Sequence, residues 1–198
     1  IPISEWVLAS ACRDAQQLNG LGLGDITMAV NISPMQFQRP GFVASIKQVL
    51  TSSGLTPALL ELELTEGVLM GSAEQAIQAL KNLRALGVQI ALDDFGTGFS
   101  SLSYLKRLPI NRIKIDRSFV RDVTFDRHDA AIIDGVVAMA GKMGLEVLVE
   151  GVETAEQFGY LQQRHCDYYQ GYYFARPMPL SALHEFLHKP PADMTSCY

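Results

Sequence analysis

The sequence predicts an α/β fold around a parallel sheet, and it favours a (β/α)8-type barrel over a doubly wound open sheet. Three observations carry this. Short apolar runs with strand character alternate with longer amphipathic runs along almost the whole chain. Six strands separated by helical sequence need crossover connections, and crossovers make the pairing parallel. Every one of those strands also delivers an amide, a carboxylate or an ammonium group at or near its C-terminal end. In a barrel all such ends meet at one mouth, where barrel enzymes keep their chemistry. In an open sheet only a few strands reach the ligand crevice.

Taken in chain order, "ISEWVLASACRDAQQL" places Ile3, Trp6, Val7, Ala11, Ala15 and Leu18 on one helical face, and Asn19-Gly20 ends the helix. "ITMAVN", residues 26–31, is a short buried strand. "FVASIKQVLTSSG" is helical, with Phe42, Ile46 and Val49 inward and Gly54 at its stop. "LLELELTE" is a strand broken by Gly67, and "AEQAIQALKNLRALG" is a helix closed by Gly87 at C′. "VQIAL" is a strand that runs into an Asp-Asp-Phe-Gly turn and then a short helix around "SLSYLKRL". "RIKI", "EVLVE" and "CDYYQGYYF" are the last three strands. "RHDAAIIDGVVAMAGKMG", "TAEQFGYLQQRH" with Thr154 as N-cap, and "LSALHEFLH" are the helices that follow them. The strands read as apolar on both faces, as parallel strands buried on both sides do. Residues 1–189 read as one domain and 190–198 as a tail.

Composition limits the function. The chain has 198 residues, 48% hydrophobic and 19% charged, which fits a soluble globular domain. It has no apolar run long enough for a membrane span, and "IPISEWVLAS" lacks the parts of a signal peptide. A net charge of −5 argues against a nucleic-acid polymer as partner. A small anionic ligand stays open if metal ions offset the carboxylates. Cys12, Cys166 and Cys197 are odd in number and far apart, so the expected compartment is the reducing cytoplasm.

The candidate site lies at the strand ends: Asn31, Glu63 with Glu66, Asp93 with Asp94, Lys114 with Asp116 just past it, Glu150 with Glu153, and Gln170. Any one of these could be a cap or a solvated loop charge; six strands in series are hard to explain that way. The adjacent Asp93 and Asp94 are the sharpest signal. Their repulsion and desolvation cost energy, and carboxylates crowded like this hold a cation or perform acid–base chemistry. Hard cations such as Mg²⁺ or Mn²⁺ take oxygen ligands, which Asp, Glu and Asn supply. Gly96 and Gly98 allow tight backbone angles beside the pair. A competing motif, "HEFLH", matches a zinc pattern with His184 and His188 as ligands and Glu185 as base. It has no third ligand beyond Cys197 in the tail, and Pro190 and Pro191 follow at once, so it reads as a terminal surface helix packing Phe186 and Leu187. His128 and His165 read as solvated.

The stretches "NISPMQF", "ELELTE", "ALDDFGTGFSSLSYLKRLPINRIKIDRSFV", "VEGVET" and "QGYYFARPMP" resemble the motifs of the EAL domain, the cyclic di-GMP phosphodiesterase family, in family order from Trp6 to about Leu187. The resemblance implies a TIM-like (β/α)8 barrel of the EAL type with one reversed strand. It implies hydrolysis of cyclic di-GMP to linear pGpG with Mg²⁺ or Mn²⁺ in a two-metal site, in bacterial second-messenger signalling. Carried over by position, Asn31, Glu63 and Asp93 match first-metal ligands, and Asp93 bridges to a second metal with Asp94 and Glu150 beside it. Lys114 matches the lysine that holds the attacking water or the phosphate oxygen. Glu66 matches the glutamate that braces the Asp-Asp-Phe-Gly loop, and Glu153 and Gln170 match residues lining the mouth where substrate binds.

The Glu-Ala-Leu motif that names the family is absent. The resemblance therefore implies an N-terminal truncation to about six βα units, which removes a metal-binding glutamate. It also implies upstream sensor or diguanylate cyclase domains in a parent protein, slower hydrolysis by this chain than by that parent, and exposed sheet edges that favour a homodimer or self-association. The alternatives are a non-catalytic cyclic di-GMP receptor, which typically loses several metal-site residues, and a folding or dimerisation remnant. No metal-site residue is lost within the region covered.

Overall fold

A computed structural model of the chain describes residues 2–22, 25–69, 72–96 and 105–188. Six parallel strands form one sheet in strictly sequential order: β1 (Met28–Ile32), β2 (Leu60–Thr65), β3 (Gln89–Phe95), β4 (Arg112–Ile115), β5 (Glu146–Glu150) and β6 (Tyr168–Gln170). Sequential order with helical crossovers is barrel winding. A doubly wound sheet would reverse direction at a switch point. The helices are α1 (Pro2–Asn19), α2 (Pro34–Phe37), α3 (Phe42–Ser53), α4 (Ala73–Ala85), α5 (Arg117–Val120), α6 (Arg127–Met143), α7 (Ala155–Gln162) and α8 (Leu180–His188). No described helix is long and apolar enough to cross a membrane. Residues 101–104, the first half of the expected short helix around 101–108, fall outside the described residues, as do Gly98 and the tail from 189.

Helix ends follow local chemistry. Thr154 and Gln157 form a capping box on α7, and Asp126 accepts the His128 N–H at the start of α6. Gly54 and Gly144 adopt left-handed angles at the ends of α3 and α6, where a Cβ would be strained.

The strand faces differ from the sequence expectation. Only one face is apolar: Val30, Ile32, Leu60, Leu62, Leu64, Ile90, Ile113, Ile115, Val147 and Val149 join the core shared with the helices. The alternate residues, on the inner side of the sheet, are mostly polar, with Ala29, Ala91 and Leu148 among them. The reason is visible in "LELELT", "RIKI" and "EVLVE", which alternate with period two. The barrel interior is thus ionic.

Three further expectations are corrected. In α1 the buried stripe is Leu8, Cys12, Ala15 and Leu18, whereas Ile3, Trp6 and Val7 are exposed. Two apolar stripes lie side by side on this helix, and the one centred on Cys12 is the one that meets α3 and β1. The last strand is only three residues long. After Gln170 the backbone of Gly171 presses against Val152, so closely that a Cβ would lie 2.0 Å from the Val152 carbonyl oxygen, and the chain turns. The Val152 oxygen then accepts the Tyr173 N–H at 3.0 Å, which holds the turn. Finally, Asp93 and Asp94 are not in a turn after β3 but inside the strand, which bulges between Leu92 and Phe95.

Candidate active site

The parallel register lines up the expected residues. Asn31 pairs with Glu63, Thr65 with Asp93, and Glu150 with Gln170. Lys114, on β4 between them, is 2% exposed. Its Nζ lies 2.8 Å from Glu63 Oε1, 3.0 Å from Asp93 Oδ1 and 2.7 Å from Glu150 Oε1. One ammonium therefore joins carboxylates from β2, β3 and β5. Burial alone would lower the Lys114 pKa. Hydrogen bonds to Glu150 and Glu63, and the charges of both, outweigh burial and raise it above the ordinary lysine value.

The acids outnumber the base. Asp93, Asp94 and Glu150 each offer an oxygen within 4.8 Å of the others, and they are the group with metal-ligand spacing among the described residues. Burial raises the Glu150 pKa, and the charges of Asp93 and Glu63 add to this against the pull of Lys114. The Asp94 carboxyl is also raised, first by desolvation and then by the Asp93 and Asp116 charges. Both shifts come first from desolvation, with the neighbouring carboxylates adding to it.

The local backbone serves the cluster. The β3 bulge lets consecutive residues face one side, which an unbroken strand forbids. Asp94 accordingly takes φ 55°, a region that non-glycine residues seldom occupy. Gly96 follows at φ 95°, and a Cβ there would lie 3.1 Å from the Phe119 ring.

Other expected residues sit around this centre. Glu66 opens the 3-10 turn after β2 and is half-buried. Asn31 and Gln170 are exposed on the two outer strands of the sheet, at the level of Glu63 and Glu150. Glu153 is exposed just past β5, where its N–H donates to Gln157 Oε1 at 2.7 Å. Asp116, expected just past the β4 strand end, acts on Asp94 through its charge; its side chain also caps α5 by accepting the Ser118 N–H at 2.9 Å. Its position directly after "RIKI" was the available signal.

A second ionic layer lies one strand repeat below and was not anticipated. Arg112 Nη1 lies 2.8 Å from Glu61 Oε2, and Nη2 lies 2.8 Å from Glu146 Oε2. The Arg112 guanidinium stacks 4.0 Å over the Tyr168 ring. The "HEFLH" motif, in contrast, gathers no third ligand among the described residues. The His184 and His188 rings sit 4.3 Å apart on α8, and His188 Nδ1 lies 2.9 Å from the His184 carbonyl oxygen.

Fold and site together define a class: a parallel half-barrel domain with a cluster of carboxylates at the C-terminal ends of its strands. The EAL domain family model matches residues 1–177, and the chain belongs to that family. Among its relatives is the Pseudomonas aeruginosa protein named cyclic di-GMP phosphodiesterase NbdA, 45% identical over 185 residues, which are 93% of this chain and 24% of NbdA. The bifunctional diguanylate cyclase/cyclic di-GMP phosphodiesterase MucR of the same species is 43% identical, over 92% of this chain and 27% of its own length. The chain thus spans about a quarter of these relatives. Among solved structures, the PaMucR phosphodiesterase in complex with c-di-GMP superposes with a TM-score of 0.88 at 43% identity, covering 92% of this chain and 74% of that one. A manganese and cyclic di-GMP complex of Klebsiella pneumoniae BlrP1 gives 0.80 at 34% identity, covering 89% and 44%.

Proposed function

We propose that this domain hydrolyses cyclic di-GMP to linear pGpG with Mg²⁺ or Mn²⁺ as cofactor. The observation that carries the reading is the Asp93–Asp94–Glu150 cluster, whose oxygens lie within 4.8 Å of one another and whose negative charge is left over after Lys114 is satisfied. An all-carboxylate donor set fits hard divalent cations. Asp93, Glu63 and Asn31 would hold one such ion, and Asp94 and Glu150, beside Asp93, would hold a second. When bound, the ions neutralise the phosphodiester and activate a water.

The chain's own groups do the rest. Lys114 commits its three N–H bonds to Glu63, Asp93 and Glu150. Each carboxylate that turns to another partner frees one N–H for a phosphate oxygen or the attacking water. Glu66 braces the loop after Asp94, while Gln170 and Glu153 line the mouth and orient the substrate. Residues 1–189 form the domain; a homodimer and upstream sensor or cyclase domains are the expected partners.

The test is direct. The purified chain is incubated with cyclic di-GMP and Mg²⁺ or Mn²⁺, and the products are separated by chromatography. Linear pGpG should form and should vanish with a chelator. Tight binding of cyclic di-GMP with no product in either metal would favour the receptor reading instead.

A further inference from the structure

We propose that Arg112 is a positioning residue, whose clasp beneath the catalytic layer sets the spacing of the strands that aim the metal-binding carboxylates. This inference rests on the metal site of the proposed function and concerns residues that no part of that reading uses. On β4, Arg112 precedes Lys114 by two residues, so both side chains enter the barrel from the same face, about 7 Å apart along the strand. Lys114 reaches Glu63 on β2 and Glu150 on β5. Arg112 repeats the pattern below: it reaches Glu61 on β2, two residues before Glu63, and Glu146 on β5, four before Glu150. Through Glu146 Oε1, which accepts the Tyr168 hydroxyl at 3.3 Å, and through stacking on the Tyr168 ring, the clasp extends to β6.

The intervening strand makes room for this. Ala91 on β3 is the register partner of both Glu63 and Arg112, and it is fully buried. Its single methyl leaves the interior open, so the guanidinium can cross β3 to meet Glu61. A planar guanidinium with two carboxylates fixes direction as well as distance, which a lysine would not do. The cluster is not built for stability alone: Glu61 is 2% exposed, and Arg112 Nε is the one buried side-chain polar atom with no partner among the described residues. Buried ion pairs are weak sources of stability but can enforce one arrangement. Here the arrangement enforced is the relative height and separation of β2, β4 and β5, the strands of Glu63, Lys114 and Glu150. Groups that hold ligands from behind typically change metal affinity about 10–100-fold when removed.

The test reads metal affinity without substrate. Mn²⁺ is titrated calorimetrically into the parent chain, into Arg112→Met, and into the charge-free pair Arg112→Met with Glu61→Leu. The single variant leaves Glu61 buried without its partner, and any loss of folding in it is read from a thermal melt. The pair removes both charges, and apolar replacements of this kind keep a core folded. Glu146→Gln loosens the clasp at its exposed end and serves as a third, mild variant. The expected result is a melting temperature in the pair close to the parent's, with a Mn²⁺ dissociation constant raised about tenfold, and a smaller rise in Glu146→Gln. Parent-like Mn²⁺ affinity in the folded pair would overturn the positioning role while leaving the proposed function standing. No Mn²⁺ binding by the parent itself would overturn the metal site, and this inference with it.

Discussion

Asp93→Asn is expected to abolish the proposed hydrolysis of cyclic di-GMP and to leave the fold intact. The side chain is nearly buried, lies 3.0 Å from Lys114 Nζ and shares the cation cluster with Asp94 and Glu150. The amide has the same shape, so packing against β2 and β4 is kept. What would be lost is the full negative charge at the position proposed to serve both cations, and a neutral amide does not hold two divalent ions together. A loss of about 10³-fold or more in turnover is expected, on the scale of removing a transition-state stabilising group. The melting temperature without metal should hold, because the amide keeps the shape and Lys114 keeps Glu63 and Glu150 as partners. Steady-state turnover and a thermal melt of the same preparation check both halves. Turnover within tenfold of the parent would remove Asp93 from the metal site.

Lys114→Met is the second large effect, and it falls on stability first. The substitution removes the ammonium that Glu63, Asp93 and Glu150 share. Breaking a buried ion pair from one side costs about 3–5 kcal/mol, because the remaining charge is left uncompensated. The pH dependence follows from the Glu150 shift. A carboxyl whose folded pKa is raised loses stability as pH climbs through that value and regains it as pH falls, since the neutral form is the one burial favours. Without Lys114 this raise grows, so the deficit against the parent should be largest near neutral pH and narrow under mild acid. Urea melts of both proteins at two pH values measure it. A deficit that widens on acidification would show that Lys114 is not compensating buried carboxylates. Activity should be lost as well, since no other described ammonium reaches the three carboxylates.

Much of this was legible in the sequence, for identifiable reasons. Alternating short and long periodic runs gave the order of six strands, and the polar residue at each strand end gave the mouth. Parallel pairing puts Glu63, Asp93 and Lys114 on one face of neighbouring strands, and the long Lys114 side chain closes the remaining offset. What was not legible depends on tertiary choices. Two adjacent apolar stripes on α1 compete, and only packing on β1 and α3 selects the stripe of Cys12 over that of Trp6. The left-handed Asp94 could not be read from residue type, since β-bulges follow from pairing rather than from local preference. The lower ionic layer was visible in principle, because Glu61, Arg112 and Glu146 stand at the same alternation as Glu63, Lys114 and Glu150. Reading the strands as apolar on both faces concealed it.

The central claim is that Asp93, Asp94 and Glu150 form a cation centre. Anomalous diffraction from crystals grown with Mn²⁺ and collected near the manganese edge tests it most directly. Two anomalous peaks should appear at the C-terminal ends of β3 and β5, both touching Asp93. An empty map there, or a peak confined to His184 and His188 on α8, would contradict the account.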